Sequence, residues 1–449
     1  MISRTRRKFP LSWKGLILTP HPYAIGNRVE EIFFGLMLAR RKGVRICLIE
    51  HLNLPVLHGY ELSIRSALNL QSPCISHAPC LIHWLAALIL SIAYLPLRLA
   101  SRALFRLSGK RLYESYNFPR IGVDKLWIDE PNDTRETFSW ERAEAMNWQR
   151  QLEEYESPTL PLTLSCACRD KLTNYGIGPD DWFVCWHIRE PGFKKDFTRR
   201  SYRNADIANS IPGIKEVTQR GGWVIRLGDD SMSPLPSMER VIDYPFTNLK
   251  SEEMDLFLVS NCRLYIGTIS GPMELAILFA RQMLLLNMYD WSCGNLIRDK
   301  DRGLLKHVYS VAEKRYLSLK ELVEADRELL YTFGEKSSKY ELVENSALEI
   351  KEAVIESLSI ANEQTIEQSA LQRHARERIK RSARKLISRD GFHPTASKSE
   401  EVLRFQYKTA ARVLLEKGAI SQGYLDTNWE RDELNHNTGS HSENTHPMV

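Results

Sequence analysis

Gly221-Gly222-Trp223-Val224-Ile225-Arg226-Leu227-Gly228-Asp229, followed further along by Tyr265-Ile266-Gly267-Thr268-Ile269-Ser270-Gly271-Pro272, decides how this chain folds. Each piece is a short apolar run of strand-forming residues that ends in a polar, glycine-bearing turn. The second turn runs straight into an apolar helix, Met273 to Ala280. Strand, tight turn and helix in that order belong to an open parallel sheet, and the turn falls at its carboxyl edge, where such sheets bind ligands. Free backbone N–H groups and the helix dipole favour an anion at a helix start, so Ser270 and Gly271 mark an expected phosphate site.

Outward from this stretch the pattern repeats. Strands are expected at Trp182 to Trp186, Trp223 to Leu227, Arg240 to Asp243, Leu264 to Ile266 and Met283 to Asn287, with helices Ser251 to Ser260 and Met273 to Phe279 between the last three. That alternation predicts a doubly wound α/β lobe. The Trp182 strand runs into His187-Ile188-Arg189-Glu190, so an imidazole, a guanidinium and a carboxylate emerge together at a strand end. The guanidinium fork of Arg189 matches phosphate oxygens. At the next strand end stand Arg226, Gly228, which permits close backbone approach, and Asp229, which can accept hydrogen bonds from ribose or sugar hydroxyls. Thr268 and Ser270 add hydroxyls. Glu274, in the first turn of the following helix, either binds a ribose or complements the helix dipole. Gly221-Gly222 closes the preceding helix, a structural role. The candidate set for binding a diphosphate and its attached hydroxyls is therefore Arg189, Arg226, Gly228, Asp229, Thr268, Ser270, Gly271 and Glu274.

Towards the amino terminus, Leu16 to Thr19 is a short apolar strand, Ile25-Gly26-Asn27 a turn, Glu30 to Arg41 an amphipathic helix and Val44 to Ile49 a second strand. This order makes a βαβ unit, without the glycine fingerprint of dinucleotide sites. Cys80 to Leu97 is then apolar apart from His83 and Ser91, and meets Arg98, Arg102 and Arg106. The run is short for a membrane span and ends at Pro96, and a single crossing would put the halves of one enzyme on opposite sides. It reads as an interfacial segment whose arginines meet anionic headgroups, with a true span and a buried core helix as alternatives. A Pro/Asp-rich connector, Asn117 to Thr134, and a polar helix, Trp140 to Glu154, link it to the second lobe. Beyond that lobe, Val343, Ala347, Ile350, Val354 and Leu358 recur at helical spacing. Arg373 to Lys385 holds seven basic residues without interleaved aromatics. Nucleic acid is accordingly not the expected partner, and the helix reads as a solvated or lipid-facing surface. From Asn435 onward a polar, disordered tail is expected.

A length of 449 residues with 43% hydrophobic content suits two cores plus extensions. A net charge of +5 is too small to indicate a nucleic-acid protein. The eight cysteines are scattered, and Cys166 and Cys168 form a C-x-C with no second pair at zinc-ligand spacing. No metal site is expected, and the setting is a reducing cytoplasm. Arg4, Arg6, Arg7 and Lys8 are followed by Pro10 to Lys14 instead of the long apolar core of a signal peptide, so the chain is expected to stay in the cytoplasm.

Several of these segments, in the same order, resemble the successive motifs of a family of bacterial glycosyltransferases from surface-carbohydrate loci. They are Tyr116-Asn117-Phe118-Pro119-Arg120-Ile121-Gly122, the His187 to Glu190 turn, Arg203-Asn204-Ala205, Gly221 to Asp229, Met254-Asp255-Leu256-Phe257 and Ile266 to Pro272. The resemblance runs roughly from Gly15 to Leu330 and is strongest from Phe118 to Asn287. The His-Ile-Arg turn is also similar, more distantly, to the first motif of fucosyltransferases that use a nucleotide diphosphate sugar. There the arginine contacts the diphosphate, which would be Arg189 here. Glu190-Pro191-Gly192 stands where that motif continues with an acidic and a second basic residue, so donor identity does not carry over.

The resemblance implies a GT-B-like α/β fold of two facing Rossmann-like lobes with a C-terminal helical extension. Residues 1–135 would hold the acceptor, with 80–106 touching the membrane; 136–159 would be a linker helix and 160–335 the nucleotide-sugar lobe. A helical extension at 336–434 and a tail at 435–449 complete the expected division. The activity implied is transfer of a sugar from a nucleotide-activated donor to a cell-surface polysaccharide or glycolipid acceptor, glycan or lipid-linked, at the cytoplasmic face of the inner membrane. No cofactor or metal is implied, since arginines and helix N-termini neutralise the departing diphosphate. The base that takes the acceptor proton is sought in the loop Pro20-His21-Pro22-Tyr23, with His21 and His187 as the candidates. Two alternatives stay open: transfer of a phosphorylated alcohol from a nucleotide-activated donor, and a non-enzymatic scaffold that binds membrane or RNA.

Overall fold

The computed structural model describes residues 15–18, 25, 26, 29, 32, 33, 36, 40, 45–48, 70–73, 75, 76, 155–192, 201–289, 296–324, 340–361, 363, 367–388 and 417–430. His21, the apolar segment 80–106, the connector 117–134, residues 136–154 of the expected linker helix and the tail lie outside the described residues, and 155–159 are not helical.

Strands β1 (Gly15–Leu18), β2 (Arg45–Leu48) and β3 (Ile75–Ser76) form a three-stranded sheet in that order, with both pairings parallel. Between β1 and β2, Val29, Ile32, Phe33 and Leu36 are helical and buried. Their spacing of i, i+3, i+4 and i+7 is one face of a helix, so the expected βαβ unit is present. Ile25 and Gly26, expected as a turn, are already helical.

The larger sheet draws on β4 (Phe183–His187), β5 (Trp223–Arg226), β6 (Val241–Asp243), β7 (Leu264–Gly267), β8 (Met283–Met288) and β9 (Arg302–Leu305). Strands β10 (His307–Ser310), β11 (Arg315–Tyr316) and β12 (Tyr340–Val343) form a small antiparallel sheet in the order β11-β10-β12. A last short strand, β13 (Ala419–Ile420), returns to the larger sheet, whose order is β13-β9-β8-β7-β4-β5-β6. The pairings β4–β5, β5–β6, β8–β9 and β9–β13 are parallel. The fold is thus α/β with a mainly parallel sheet. Strands β4, β7 and β8 are buried along their whole length, which is why they read as continuous apolar runs.

The helices are α1 (Leu162–Thr173), α2 (Ile211–Gln219), α3 (Glu252–Asn261), α4 (Gly271–Leu278), α5 (Leu319–Glu324), α6 (Ala347–Ile360), α7 (Ala370–Ser388) and α8 (Gln422–Asn428). Their ends carry local signals. Ser251 caps α3 by accepting from the Met254 N–H at 3.1 Å, and Ser346 with Glu349 forms a capping box on α6. Helix α2 stops where Gly221 takes φ +82°, the left-handed conformation that glycine adopts without steric cost. Helix α4 begins two residues before the expected Met273, because proline is pre-organised for a first turn and Pro272 sits there.

The stretch 336–434, expected as helical, also contributes β12 and β13 to sheets. Strand β13 is fastened by the carboxylate of Glu356. That carboxylate accepts from Arg302 Nε at 2.6 Å, Ser421 Oγ at 2.6 Å and the Gln422 N–H at 2.8 Å, while Gln372 Nε2 donates to the Ile420 carbonyl at 3.0 Å.

Two compact units divide the chain. One comprises Met1–His187, Gly222–Tyr265 and Ser270–Gln282; the other comprises Ile188–Gly221, Ile266–Ile269 and Met283–Val449. Among the described residues no helix is long and apolar enough to cross a membrane.

Candidate functional site

Strand order in the larger sheet reverses beside β4. Strands β5 and β6 extend to one side of it, and β7, β8 and β9 to the other. In open α/β sheets a ligand crevice forms at such a reversal, outside the carboxyl ends of the strands. Two residues after β4 comes Arg189, and directly after β7 comes Thr268. The Arg189 N–H donates to Thr268 Oγ1 at 2.9 Å, which places both carboxyl ends at one edge.

The second unit builds a network around this bond. The Ala205 N–H donates to the Arg189 carbonyl at 3.0 Å, and Arg189 Nη1 donates to Asn204 Oδ1. Arg203 Nη2 donates to the Ile269 carbonyl at 2.9 Å, and the Lys306 ammonium donates to the Asn204 carbonyl at 2.7 Å. The Arg203 guanidinium also lies 5.7 Å from the Tyr289 ring centroid, and Tyr202 meets the same ring edge-on. Two cations, Arg189 and Lys306, therefore converge on one neutral residue, Asn204, and Arg203 precedes it in the chain. Thr268, expected to offer its hydroxyl to a ligand, accepts from the Arg189 backbone and is buried.

In the first unit, His187 is the last residue of β4 and is buried. Its Nδ1 lies 3.1 Å from the Leu227 carbonyl, a contact that requires a proton on Nδ1 and leaves Nε2 as the basic nitrogen. Burial pushes its pKa down to about 4, against the opposing pull of the Leu227 hydrogen bond, so the imidazole is neutral at pH 7.

Arg226 is placed differently from expectation. Its side chain has no exposed surface, and Nη1 donates to Asp243 Oδ1 at 2.8 Å across the β5–β6 pair. Asp243 Oδ2 also accepts from the Leu235 N–H at 2.7 Å. The guanidinium thus ties β5, β6 and the intervening loop together. Gly228 gives Met232 room: a Cβ there would lie 2.1 Å from Met232 Sδ. Asp229 caps its own turn, accepting from the Ser231 N–H at 2.9 Å.

Ser270 is the N-cap of α4 in extended conformation and makes no side-chain capping bond, unlike Ser251 at α3. Gly271 is packed against the amino-terminal helix. A Cβ on Gly271 would stand 2.7 Å from Ile25 Cγ2, and one on Gly26 would stand 3.0 Å from Gly271 Cα. Glu274 lies in the first turn of α4, with Cγ 3.6 Å from the same position on Gly26. The Gly-bearing turn read near Ile25 is therefore helical, and it is pressed against the start of α4.

Sequence reasoning passed over Lys306 and gave Arg203 and Asn204 no role. A signal for Lys306 existed: it is a lysine inside the apolar strand run Gly303 to Val308.

Neither a protein-family profile nor a curated protein matches the chain. Among solved structures, it is similar to a glycosyltransferase family 9 protein from Veillonella parvula, with 13% identity over 62% of this chain and 81% of that one and a TM-score of 0.33. It is similar to the E. coli ADP-heptose lps heptosyltransferase II, with 13% identity over 60% and 84% of the two chains and a TM-score of 0.35. A UDP-GlcNAc 2-epimerase from Methanocaldococcus jannaschii shares 14% identity over 61% and 83%, with a TM-score of 0.26. Likenesses of this size carry no argument about chemistry, which has to come from the residues themselves.

Proposed function

We propose that the chain is a glycosyltransferase that moves a sugar from a nucleotide diphosphate donor to a cell-surface polysaccharide or glycolipid acceptor without using a metal. The observation that supports this most is the hydrogen bond from the Arg189 backbone to Thr268 where strand order reverses, because it anchors an arginine at the edge where α/β sheets take ligands. Departure of a nucleoside diphosphate builds negative charge, and a pre-positioned arginine stabilises it without reorganisation. In this reading Arg189 is the principal ligand of the diphosphate, and the turn continues in sequence into Ser270 and Gly271. Arg226 serves the fold. Segment 80–106 holds the enzyme at the cytoplasmic membrane surface, near its acceptor.

Arg189→Ala is expected to weaken nucleoside diphosphate binding by roughly 10- to 100-fold, the loss of one charge-assisted hydrogen bond, with an unchanged circular dichroism spectrum. The fold survives because the substitution keeps the backbone bonds to Thr268 and Ala205. Calorimetry with a panel of nucleoside diphosphates measures it, and equal affinities would remove Arg189 from the site. A membrane or RNA scaffold would instead respond to anionic vesicles or RNA and to no nucleotide.

For the base we propose His21, three residues after β1 in the sequence. The pH dependence of kcat/KM separates it from His187. An ordinary imidazole places the acid limb near pH 6.5, about its reference pKa. His187, with its pKa lowered to about 4, would place the limb there. Activity that still rises between pH 5 and pH 7 is the result expected for His21, as is a fall of roughly 100-fold or more in kcat for His21→Ala.

A further inference from the structure

Lys306 joins β9 to β10 and is 3% exposed, yet it makes no ion pair among the described residues. Its hydrogen bond goes to a neutral carbonyl, that of Asn204. Glu344, the carboxylate that acts on it electrostatically, is not within ion-pair distance; its Oε2 accepts from the Asp206 N–H at 2.8 Å and from Asn209 Nδ2 at 3.5 Å. An ammonium has three protons to donate, and a buried charge without a partner is strongly unfavourable. Arg203 repeats the pattern, since its Nε is buried and has no hydrogen-bond partner among the described residues. Arg189 reaches the same residue as Lys306, Asn204, through its side-chain oxygen. Like charges gathered this way repel, and no nearby carboxylate pairs with Lys306 to offset the cost. What offsets it chemically is an anion with several acceptor oxygens.

We infer that Arg203 and Lys306, together with Arg189, form one anion subsite for a phosphoryl or diphosphoryl group. The identity of the ligand as part of an activated donor rests on the reading above, whereas the anion itself follows from Lys306, buried without an ion pair among the described residues, and from the buried Nε of Arg203. Arg203 has a second duty, since its bond to the Ile269 carbonyl couples anion binding to the position of the Thr268 turn.

The test uses the full chain and inorganic pyrophosphate, with nucleoside diphosphates in parallel. Pyrophosphate is expected to raise the melting temperature of the wild-type protein, and Lys306→Met to abolish that rise, with on the order of tenfold or greater loss in affinity. A merely structural lysine predicts that Lys306→Met melts lower. An anion-site lysine predicts an unliganded variant at least as stable as wild type, because an apolar chain replaces an unpaired buried charge. Should Lys306→Met not fold, Arg203→Gln carries the same comparison. No response of the wild type to pyrophosphate would overturn the inference, as would a response retained in both variants. A nucleoside diphosphate shift that survives in both variants would sink this subsite and leave the donor reading standing. A pyrophosphate response without any nucleotide response would keep the subsite and sink the donor reading.

Discussion

Arg226→Ala is expected to lower stability by about 3 to 5 kcal/mol, the range for removing one partner of a buried ion pair, and to do so without a separate effect on ligand affinity. The guanidinium has no exposed surface and meets Asp243 at 2.8 Å, while the same carboxylate holds the Leu235 N–H at 2.7 Å. Alanine would leave that carboxylate with an amide donor only, and a cavity where a long side chain was. Urea denaturation read by tryptophan fluorescence gives the stability change. Arg226→Met, which keeps most of the volume, is expected to lose less. A normally stable Arg226→Ala protein with weakened nucleotide binding would return this arginine to the ligand site. The contrast with Arg189→Ala is the useful one: two arginines at neighbouring strand ends, one predicted to change affinity and the other stability.

The second large effect is expected at Gly271. Its Cβ direction is filled by Ile25 Cγ2 at 2.7 Å and by the Gly26 backbone nitrogen at 3.2 Å, so even alanine forces a shift. Valine adds a branch, and the helix that must move carries Met273, Leu275, Ala276, Ile277 and Leu278 in the core. Overpacking of this kind costs about 3 kcal/mol, and Gly271→Val is expected to lose its activity and its thermal stability together. Ile25→Ala should partly restore the melting temperature of Gly271→Ala, because it removes the nearer of the two obstructions. Loss of activity in Gly271→Val at wild-type stability would assign the glycine to the ligand instead of to packing.

Much of the sheet was legible because buried parallel strands announce themselves as apolar runs. Phe183 to His187, Trp223 to Arg226, Leu264 to Gly267 and Met283 to Met288 fall within a residue or two of expectation. Strand β13 was not legible: two residues, Ala419 and Ile420, carry no periodicity, and their place depends on Glu356 far earlier in the chain. The site was read in part. A strand-end arginine is visible in sequence, but whether it faces a ligand or a carboxylate on the next strand is decided by register. Arg226 lies opposite Asp243, and Arg189 lies past the end of its strand. Lys306 could have been noticed as a lysine in an apolar run, but its partner could not, since the backbone carbonyl of Asn204 that it meets leaves no mark on residue type.

The position of β13 has a consequence for how the protein is made. Strand β9 has β8 on one side, and its other edge is covered by residues 419 and 420. On a ribosome that edge is translated more than a hundred residues before its cover, and for that interval it presents unpaired backbone groups to any strand it meets. Glu356 and Gln372, both translated in between, stand ready to capture the late strand. In that interval the chain carries a sheet that is still adhesive on one edge, and it becomes safe from its own copies only when Ala419 and Ile420 arrive.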